Sequence, residues 1–228
     1  MQVFASDHEI EAGPDYFACI DTAFAAAKSG KLVTFGIEPT EPATGYGYIE
    51  AGEELPSGAR KVARFVEKPA QDKAEEMLAA GNYTWNSGMF MFPVAVLIRE
   101  LEKYAPEVFE FAEQAVLKDE SDLELDFTRL DKKTFAQCPD ISIDYAVMEK
   151  TSEAAVVPSA FTWSDLGSWD AIWKDGDQDA SGNVVAGDAT LLVRVRRDRL
   201  PFDQAWLQNW ARLKRAAERN GLKFLGPN

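Results

Sequence analysis

Apolar and polar positions alternate along this chain in two periods, one of strands and one of helices. Gln2 to Ala5 reads as the end of a buried strand, and Leu32 to Ile37 as a second apolar strand. Between them Asp15 to Ser29 is an Ala-rich helix closed by Gly30. Strand, helix, strand predicts that the two strands pair in parallel. Lys61 to Glu67 alternates as a strand, Asp72 to Ala80 fits a helix ended by Gly81, and Ser87 to Phe92 is apolar and strand-like. Pro93 and Pro106 each stand where proline opens a helix, the first running to about Tyr104 and the second to about Lys118. Ala154 to Val157 predicts a late strand and Ser168 to Lys174 a short helix. No internal repeat or low-complexity linker interrupts the series, which is that of an α/β fold.

Composition adds bounds. With 228 residues, 46% of them hydrophobic, the chain can bury one substantial α/β domain, with or without a small appendage. A formal charge of −14 argues against general nucleic-acid binding, which needs accumulated Lys and Arg. A small anionic substrate remains compatible where positive charge is local or a metal ion intervenes. Cys19 and Cys138 are far apart and form no CxxC pair, so neither a disulfide framework nor a thiolate zinc site is indicated. The N-terminal segment from Met1 to Asp7 lacks a basic stretch followed by a long apolar run, and nothing approaches the roughly 18 apolar residues of a membrane span. A soluble, cytoplasmic protein is expected.

Charge is uneven. Residues 191–228 carry nine Lys and Arg against three acidic residues, a net +6 that leaves −20 for residues 1–190. This break predicts a boundary near Thr190, with a domain at 1–190 and a basic tail at 191–228. In the tail Trp206, Leu207, Trp210, Leu213 and Ala217 recur at helical spacing, predicting an amphipathic helix from Asp203 to Asn220 stopped by Gly221. Such a helix docks on its own domain, or meets a partner or an anionic membrane surface.

Several segments place ionisable or amide side chains beside Gly, Pro or aromatic residues. Asp7, in Ser6-Asp7-His8, follows the apolar end of the first strand, where ligands of open α/β sheets gather; by itself it is equally a turn or cap residue. His8 is the only histidine, so no Ser/His/Asp triad and no His cluster for zinc can form, and a structural role is expected for it. Thr44-Gly45-Tyr46-Gly47-Tyr48-Ile49 is either a turn entering a strand or a place where a ligand lies against the main chain at Gly45. Glu67-Lys68-Pro69 is either a solvated ion pair before a turn, or an acceptor for hydroxyls beside a cation for a phosphate. Asn86-Ser87-Gly88, after Trp85, is by itself a turn, or its Asn86 amide serves as donor and acceptor to vicinal hydroxyls. Asp144 lies in a segment resembling an amphipathic helix with Ile143, Val147 and Met148 inward, where capping is its plain alternative. Asp165 stands between Trp163 and Trp169 and is either an N-cap for the helix near Ser168 or a carboxylate that needs a cation nearby.

In this order and spacing, Phe65-Val66-Glu67-Lys68-Pro69, Trp85-Asn86-Ser87-Gly88-Met89-Phe90, Ser142 to Lys150 and Trp163 to Trp169 resemble the sugar-1-phosphate nucleotidylyltransferases. The resemblance is greatest to the bacterial mannose-1-phosphate guanylyltransferases, or GDP-mannose pyrophosphorylases, and covers about Met1 to Ala189. It implies a Rossmann-like nucleotide-diphospho-sugar transferase fold with a mixed, mostly parallel central sheet. It also implies transfer of GMP from GTP to mannose 1-phosphate, giving GDP-mannose for polysaccharide biosynthesis and pyrophosphate. By the same resemblance, Asp7 and Asp165 hold one Mg²⁺, Lys68 holds the sugar phosphate, and Gly45, Glu67, Asn86 and Asp144 meet the sugar. Catalysis then rests on positioning and charge neutralisation, with no covalent enzyme intermediate.

The family's Gly-rich GGxGTRLxPL loop is not among these residues, and the tail after Leu191 departs from the family's continuation. An N-terminally truncated or frame-shifted product is therefore expected, its exposed sheet edge covered by an oligomer or a partner chain. The rival readings are a sugar-1-phosphate nucleotidylyltransferase using UTP or dTTP, and an inactive sugar-nucleotide-binding remnant or interaction module.

Overall fold

The computed structural model describes residues 1–117, 129–179 and 182–184. Strands β1 (Gln2–Val3) and β2 (Glu9–Ile10) precede helix α1 (Pro14–Lys28) and β3 (Leu32–Ile37). Next come β4 (Tyr48–Glu54), β5 (Arg60–Val66), α2 (Gln71–Ala80) and β6 (Tyr83–Met91). Helices α3 (Val94–Tyr104), α4 (Pro106–Leu117) and α5 (Lys132–Phe135) lead to a π-helical turn at Asp144–Met148. The described elements close with β7 (Ala154–Ser159), β8 (Trp163–Ser164) and α6 (Trp169–Asp175).

Six strands form one mixed sheet in the order β1-β6-β3-β7-β5-β4, and β4 pairs with β6 as well, so the ladder returns on itself. Strands β2 and β8 form a separate two-stranded ribbon. The sheet is mixed as expected, but its parallel share is narrow: β3 and β7 are the one parallel pair among the described strands, in register from Leu32↔Ala154 to Ile37↔Ser159. The other pairings are antiparallel. Between β4 and β5 the cause is a tight turn, closed by the Leu55 N–H on the Ala59 carbonyl at 2.7 Å, which reverses the chain. The expected parallel pairing of the first strand with Leu32–Ile37 does not form. Strand β6 lies between β1 and β3, antiparallel to both, so they run the same way one strand apart.

Alternation along the central strands supplies two apolar faces. Val33, Phe35, Met89, Met91, Ala155 and Val157 point to the α1 side, where Cys19, Ala23, Ala26 and Ala27 let the helix approach closely. Leu32, Phe90, Phe92, Ala154 and Val156 point to the opposite side, against Val96 of α3 and Ala146, Val147 and Met148 of the π-helical turn. Three consecutive buried side chains do not fit an α-helical stripe. The Glu149 N–H instead bonds the Asp144 carbonyl at 3.0 Å, and the widened turn brings all three inward, so the helix expected there is present in π form, with Val147 and Met148 buried and Ile143 packed against the same cluster. A third cluster, Tyr48, Ala74, Met77 and Trp85, packs under α2.

The chain divides into two units, Met1–Ala171 and Ile172–Asn228. In the second, a bridge joins Gln178 to Val184, and the Trp173 indole N–H donates to the Gly182 carbonyl at 2.8 Å. The expected boundary near Thr190, the helix Asp203–Asn220 and the end of α4 at Lys118 lie outside the described residues. No helix among the described residues is long and apolar enough to cross a membrane.

Candidate functional site

Strand β5 ends at Val66, and Glu67 and Lys68 turn away from it under tight constraint. The Glu67 backbone N–H donates to Oε1 of Glu149 at 2.9 Å. Lys68 takes a φ of +46°, which side-chain-bearing residues seldom adopt, directly before the buried Pro69. The Glu67 side chain is 7% exposed and the Lys68 side chain 59%, with Nζ 3.4 Å from Oε1. This is a buried carboxylate served by a half-free lysine, not a solvated ion pair. Burial raises the Glu67 pKa, the charge of Asp144 raises it further, and Lys68 works against both.

Asn86 sits at an irregularity of β6. The register runs Thr34↔Phe90 and then Gly36↔Asn86, so β6 carries extra residues that bulge at Ser87, Gly88 and Met89. Gly88 accepts this with a φ of +72°. Asn86 Nδ2 donates to Asp144 Oδ1 at 3.0 Å, while Asn86 Oδ1 accepts from the Thr34 hydroxyl at 2.6 Å and the Gly88 N–H at 3.4 Å. Asp144 opens the π-helical turn. Its pKa is raised by burial, against the pull of its own backbone N–H, Ser142, Asn86 and Lys68. Glu67, Lys68, Asn86 and Asp144, from three separate stretches, thus form one polar cluster.

The loop before β4 joins this cluster to a second one. A Cβ on Gly47 would stand 2.6 Å from Glu67 Oε2 and 3.3 Å from Asn86 Cβ. Gly45, in contrast, is exposed with open space around it. Between them Tyr46 is packed against Trp85 and Trp163, at centroid distances of 5.0 and 5.5 Å, and its hydroxyl bonds Asp165. Burial, then the charge and hydrogen bond of Asp165, then the charge of Glu41, push the Tyr46 phenol up to about 12.

Asp7 and Asp165 are placed by the β2–β8 ribbon. Glu9 pairs with Ser164 and Ile10 with Trp163, antiparallel, so Asp7 and Asp165 lie on opposite arms at the same end of the ribbon. The Trp163 indole N–H donates to His8 Nδ1 at 3.2 Å, with the two rings edge-on at 5.3 Å, which gives His8 the structural role expected of it. Asp165 Oδ1 accepts from the Gly167 N–H at 3.1 Å, across Leu166 at a φ of +46°. The cap of α6 is Ser168, whose Oγ accepts from the Ala171 N–H at 3.1 Å, so Asp165 is not spent on capping.

Among the described residues no group of three or more His, Cys, Asp or Glu side chains is arranged for a metal. Two hard carboxylates at one ribbon end are nonetheless a donor set that suits Mg²⁺, which takes one or two protein carboxylates and fills its shell with water and phosphate oxygens. The sequence reading did not single out Tyr46, Gly47, Glu149 or Thr34. The first two lay inside a segment it quoted. Glu149 stood in the Ser142 to Lys150 run, and Thr34 is the polar residue in an otherwise apolar strand.

Residues 1–182 match the nucleotidyl transferase family model. The chain is 54% identical over 190 residues to a mannose-1-phosphate guanylyltransferase of Sinorhizobium fredii, covering 83% of this chain and 37% of that protein. It is 48% identical over 192 residues to the xanthan biosynthesis protein XanB of Xanthomonas campestris pv. campestris, covering 84% and 40%. The chain thus spans about two fifths of the length of the curated relatives it matches. Among solved structures it is similar to a Thermus thermophilus protein described as mannose-1-phosphate geranyltransferase, with a TM-score of 0.69, 34% identity, and coverage of 82% of this chain and 52% of that one. With four fifths of its length under one family model and its carboxylates, lysine and asparagine gathered in linked clusters, the chain belongs to the nucleotidyl transferase family.

Proposed function

We propose that residues 1–190 carry the sugar- and metal-binding part of a mannose-1-phosphate guanylyltransferase. The reaction moves GMP from GTP to mannose 1-phosphate, releasing pyrophosphate and giving GDP-mannose for polysaccharide synthesis. The observation that carries this reading is the clustering of Glu67, Lys68, Asn86 and Asp144, two carboxylates and an amide around one half-exposed lysine. Carboxylates and an amide suit the hydroxyls of a sugar, and the lysine suits its phosphate. The names of the relatives supply the choice of mannose and guanosine.

Each residue then has a role. Glu67, Asp144 and Asn86 hold the sugar hydroxyls, Gly45 offers open main chain beside them, and Lys68 orients the attacking phosphate oxygen toward the α-phosphorus of GTP. Asp7 and Asp165 would hold Mg²⁺, which when bound neutralises phosphate charge. Tyr46 keeps the Asp165 carboxylate turned into the site through its hydroxyl. The two-residue edge strand β1, with its own Val3 38% exposed and the following Phe4 39%, is the place for a second copy or a partner chain to cover the sheet.

The test is pyrophosphate release from the purified protein with GTP, mannose 1-phosphate and Mg²⁺, run beside UTP with glucose 1-phosphate. Metal-dependent release with the first pair alone is expected. Asp165→Asn should cost about 10²–10³ in rate, as losing a charged transition-state contact does, and more than Lys68→Ala. Full turnover by either variant refutes its role. Binding of GDP-mannose by folded protein without turnover replaces catalysis with the reading of an inactive sugar-nucleotide-binding remnant.

A further inference from the structure

The amide of Asn86 is held in one orientation by chemistry that allows no exchange of its ends. On the oxygen side stands the Gly88 backbone N–H at 3.4 Å, a group that can only donate. On the nitrogen side stands the Asp144 carboxylate at 3.0 Å, which when ionised can only accept. Turning the amide over would set NH₂ against N–H and oxygen against carboxylate. The shortest contact is the Thr34 hydroxyl, 2.6 Å from Asn86 Oδ1.

Thr34 has no solvent exposure, and it stands in β3 where Val would match the apolar neighbours in shape. A buried hydroxyl costs free energy unless it is hydrogen-bonded, so its hydrogen must go to a nearby acceptor. Two are in reach, Asn86 Oδ1 at 2.6 Å and the Met89 carbonyl at 3.1 Å. With Thr34 and Gly88 both donating to it, the amide oxygen is used inside the protein. Of the two Nδ2 hydrogens one goes to Asp144, and among the described residues the other has no protein partner.

We propose that Thr34 is a positioning residue that fixes Asn86 as a donor toward the ligand, so that the ligand atom facing Asn86 must be an acceptor. Resting on the function proposed above, that atom is a sugar hydroxyl oxygen whose own hydrogen goes to Glu67 or Asp144. Thr34 O–H to Asn86, Asn86 N–H to the sugar, and sugar O–H to carboxylate then run in one direction, each bond polarising the next. A sugar carrying hydrogen in place of that hydroxyl leaves the Asn86 N–H unpaired and is rejected on that ground.

Two substitutions and one spectrum test this. In the unsubstituted protein the buried Thr34 hydroxyl proton should exchange slowly enough with water to be seen, and the two Asn86 amide protons, distinct in any primary amide, should lie displaced from free-amide shifts. In Thr34→Val the amide signals should shift and broaden, and mannose 1-phosphate affinity should fall about tenfold, as for one lost hydrogen bond. Thr34→Ser keeps the hydroxyl and should restore both the signals and the affinity, which a filler of core volume would not do. Unchanged amide signals in Thr34→Val, or equal loss in Thr34→Ser, overturn the proposal. If Thr34→Val does not fold, free-amide shifts for Asn86 or the lack of a slowly exchanging Thr34 hydroxyl proton in the unsubstituted protein overturn it alone, and a protected hydroxyl with displaced amide shifts together with a restoring Thr34→Ser uphold it. Absence of mannose 1-phosphate binding to the unsubstituted protein would instead fail the functional reading, and the amide signals would still decide the role of Thr34.

Discussion

At Gly47 the room for a single methyl group decides where the buried Glu67 carboxylate can sit. Glu67 Oε2 occupies the space a Cβ there would need, at 2.6 Å, while Gly45 two positions earlier meets open space. Gly47→Ala must therefore displace the Glu67 carboxylate and press on Asn86 Cβ and Phe65 Cε1, each at 3.3 Å, at a cost of about 1 kcal/mol, the low end for overpacking. Thermal denaturation should show a lower Tm for Gly47→Ala, and titration with mannose 1-phosphate a weaker affinity. Gly45→Ala should keep its Tm and weaken binding alone. Equal Tm for Gly47→Ala and the unsubstituted protein would remove the steric argument. Glu67, Asn86, Asp144 and Asp165 were legible as candidates through the resemblance of the segments that hold them, since taken alone each had a plain turn, cap or ion-pair reading. Gly47 was not, because the atom that forbids its side chain belongs to a residue twenty positions later, and Thr34 and Tyr46 likewise act on partners far along the chain.

Elements with a full period were readable, and those without one were not. Strands β3, β5 and β7 and helices α1, α2 and α3 lie close to where apolar spacing puts them. The ribbon β2–β8 has two residues per strand, too few to show any alternation, although it is what brings Asp7 and Asp165 to one end. The β1–β3 pairing failed for another reason: strand–helix–strand order gives relative direction, and says nothing of a later strand inserted between the two. The bulge of β6 is also invisible to periodicity, yet it presents Asn86. Gly88 permits it at a φ of +72°, so Gly88→Ala should destabilise by about 1–2 kcal/mol, measured by denaturant unfolding. Because a Cβ there would stand 3.8 Å from His8 Cε1, an ordinary contact, the cost is conformational and not steric. A loss no larger than that of an exposed Gly→Ala change would argue that the bulge relaxes freely.

For the molecule as a whole, the clustered carboxylates set stability against function. Glu67 and Asp144 both have raised pKa values, each chiefly from burial, and each would be easier to bury neutral. A carboxyl whose pKa is raised on folding holds its proton more tightly in the folded protein than in the unfolded chain. Between the ordinary carboxylate pKa and the raised one, the folded protein binds more protons, so stability falls as pH rises through that window. Above the raised value the cost is fully present, and below the ordinary carboxylate range it is gone. Asp144→Asn removes the charge and leaves an oxygen to accept from Asn86 Nδ2. It should therefore raise Tm at neutral pH by about 2–4 °C, the shift that 1 kcal/mol gives a chain of this size. The gain should shrink as pH is lowered through the carboxylate window, while sugar-phosphate affinity is lost at every pH. Glu113→Gln, on an exposed position of α4, lowers the net negative charge equally and serves as the control. If both variants gained alike, the stabilisation would come from the −14 net charge and not from burial at the site. A pH-independent gain in Asp144→Asn would show that the Asp144 pKa does not change on folding, and the stabilisation would then come from hydrogen bonding or packing and not from relief of a buried charge.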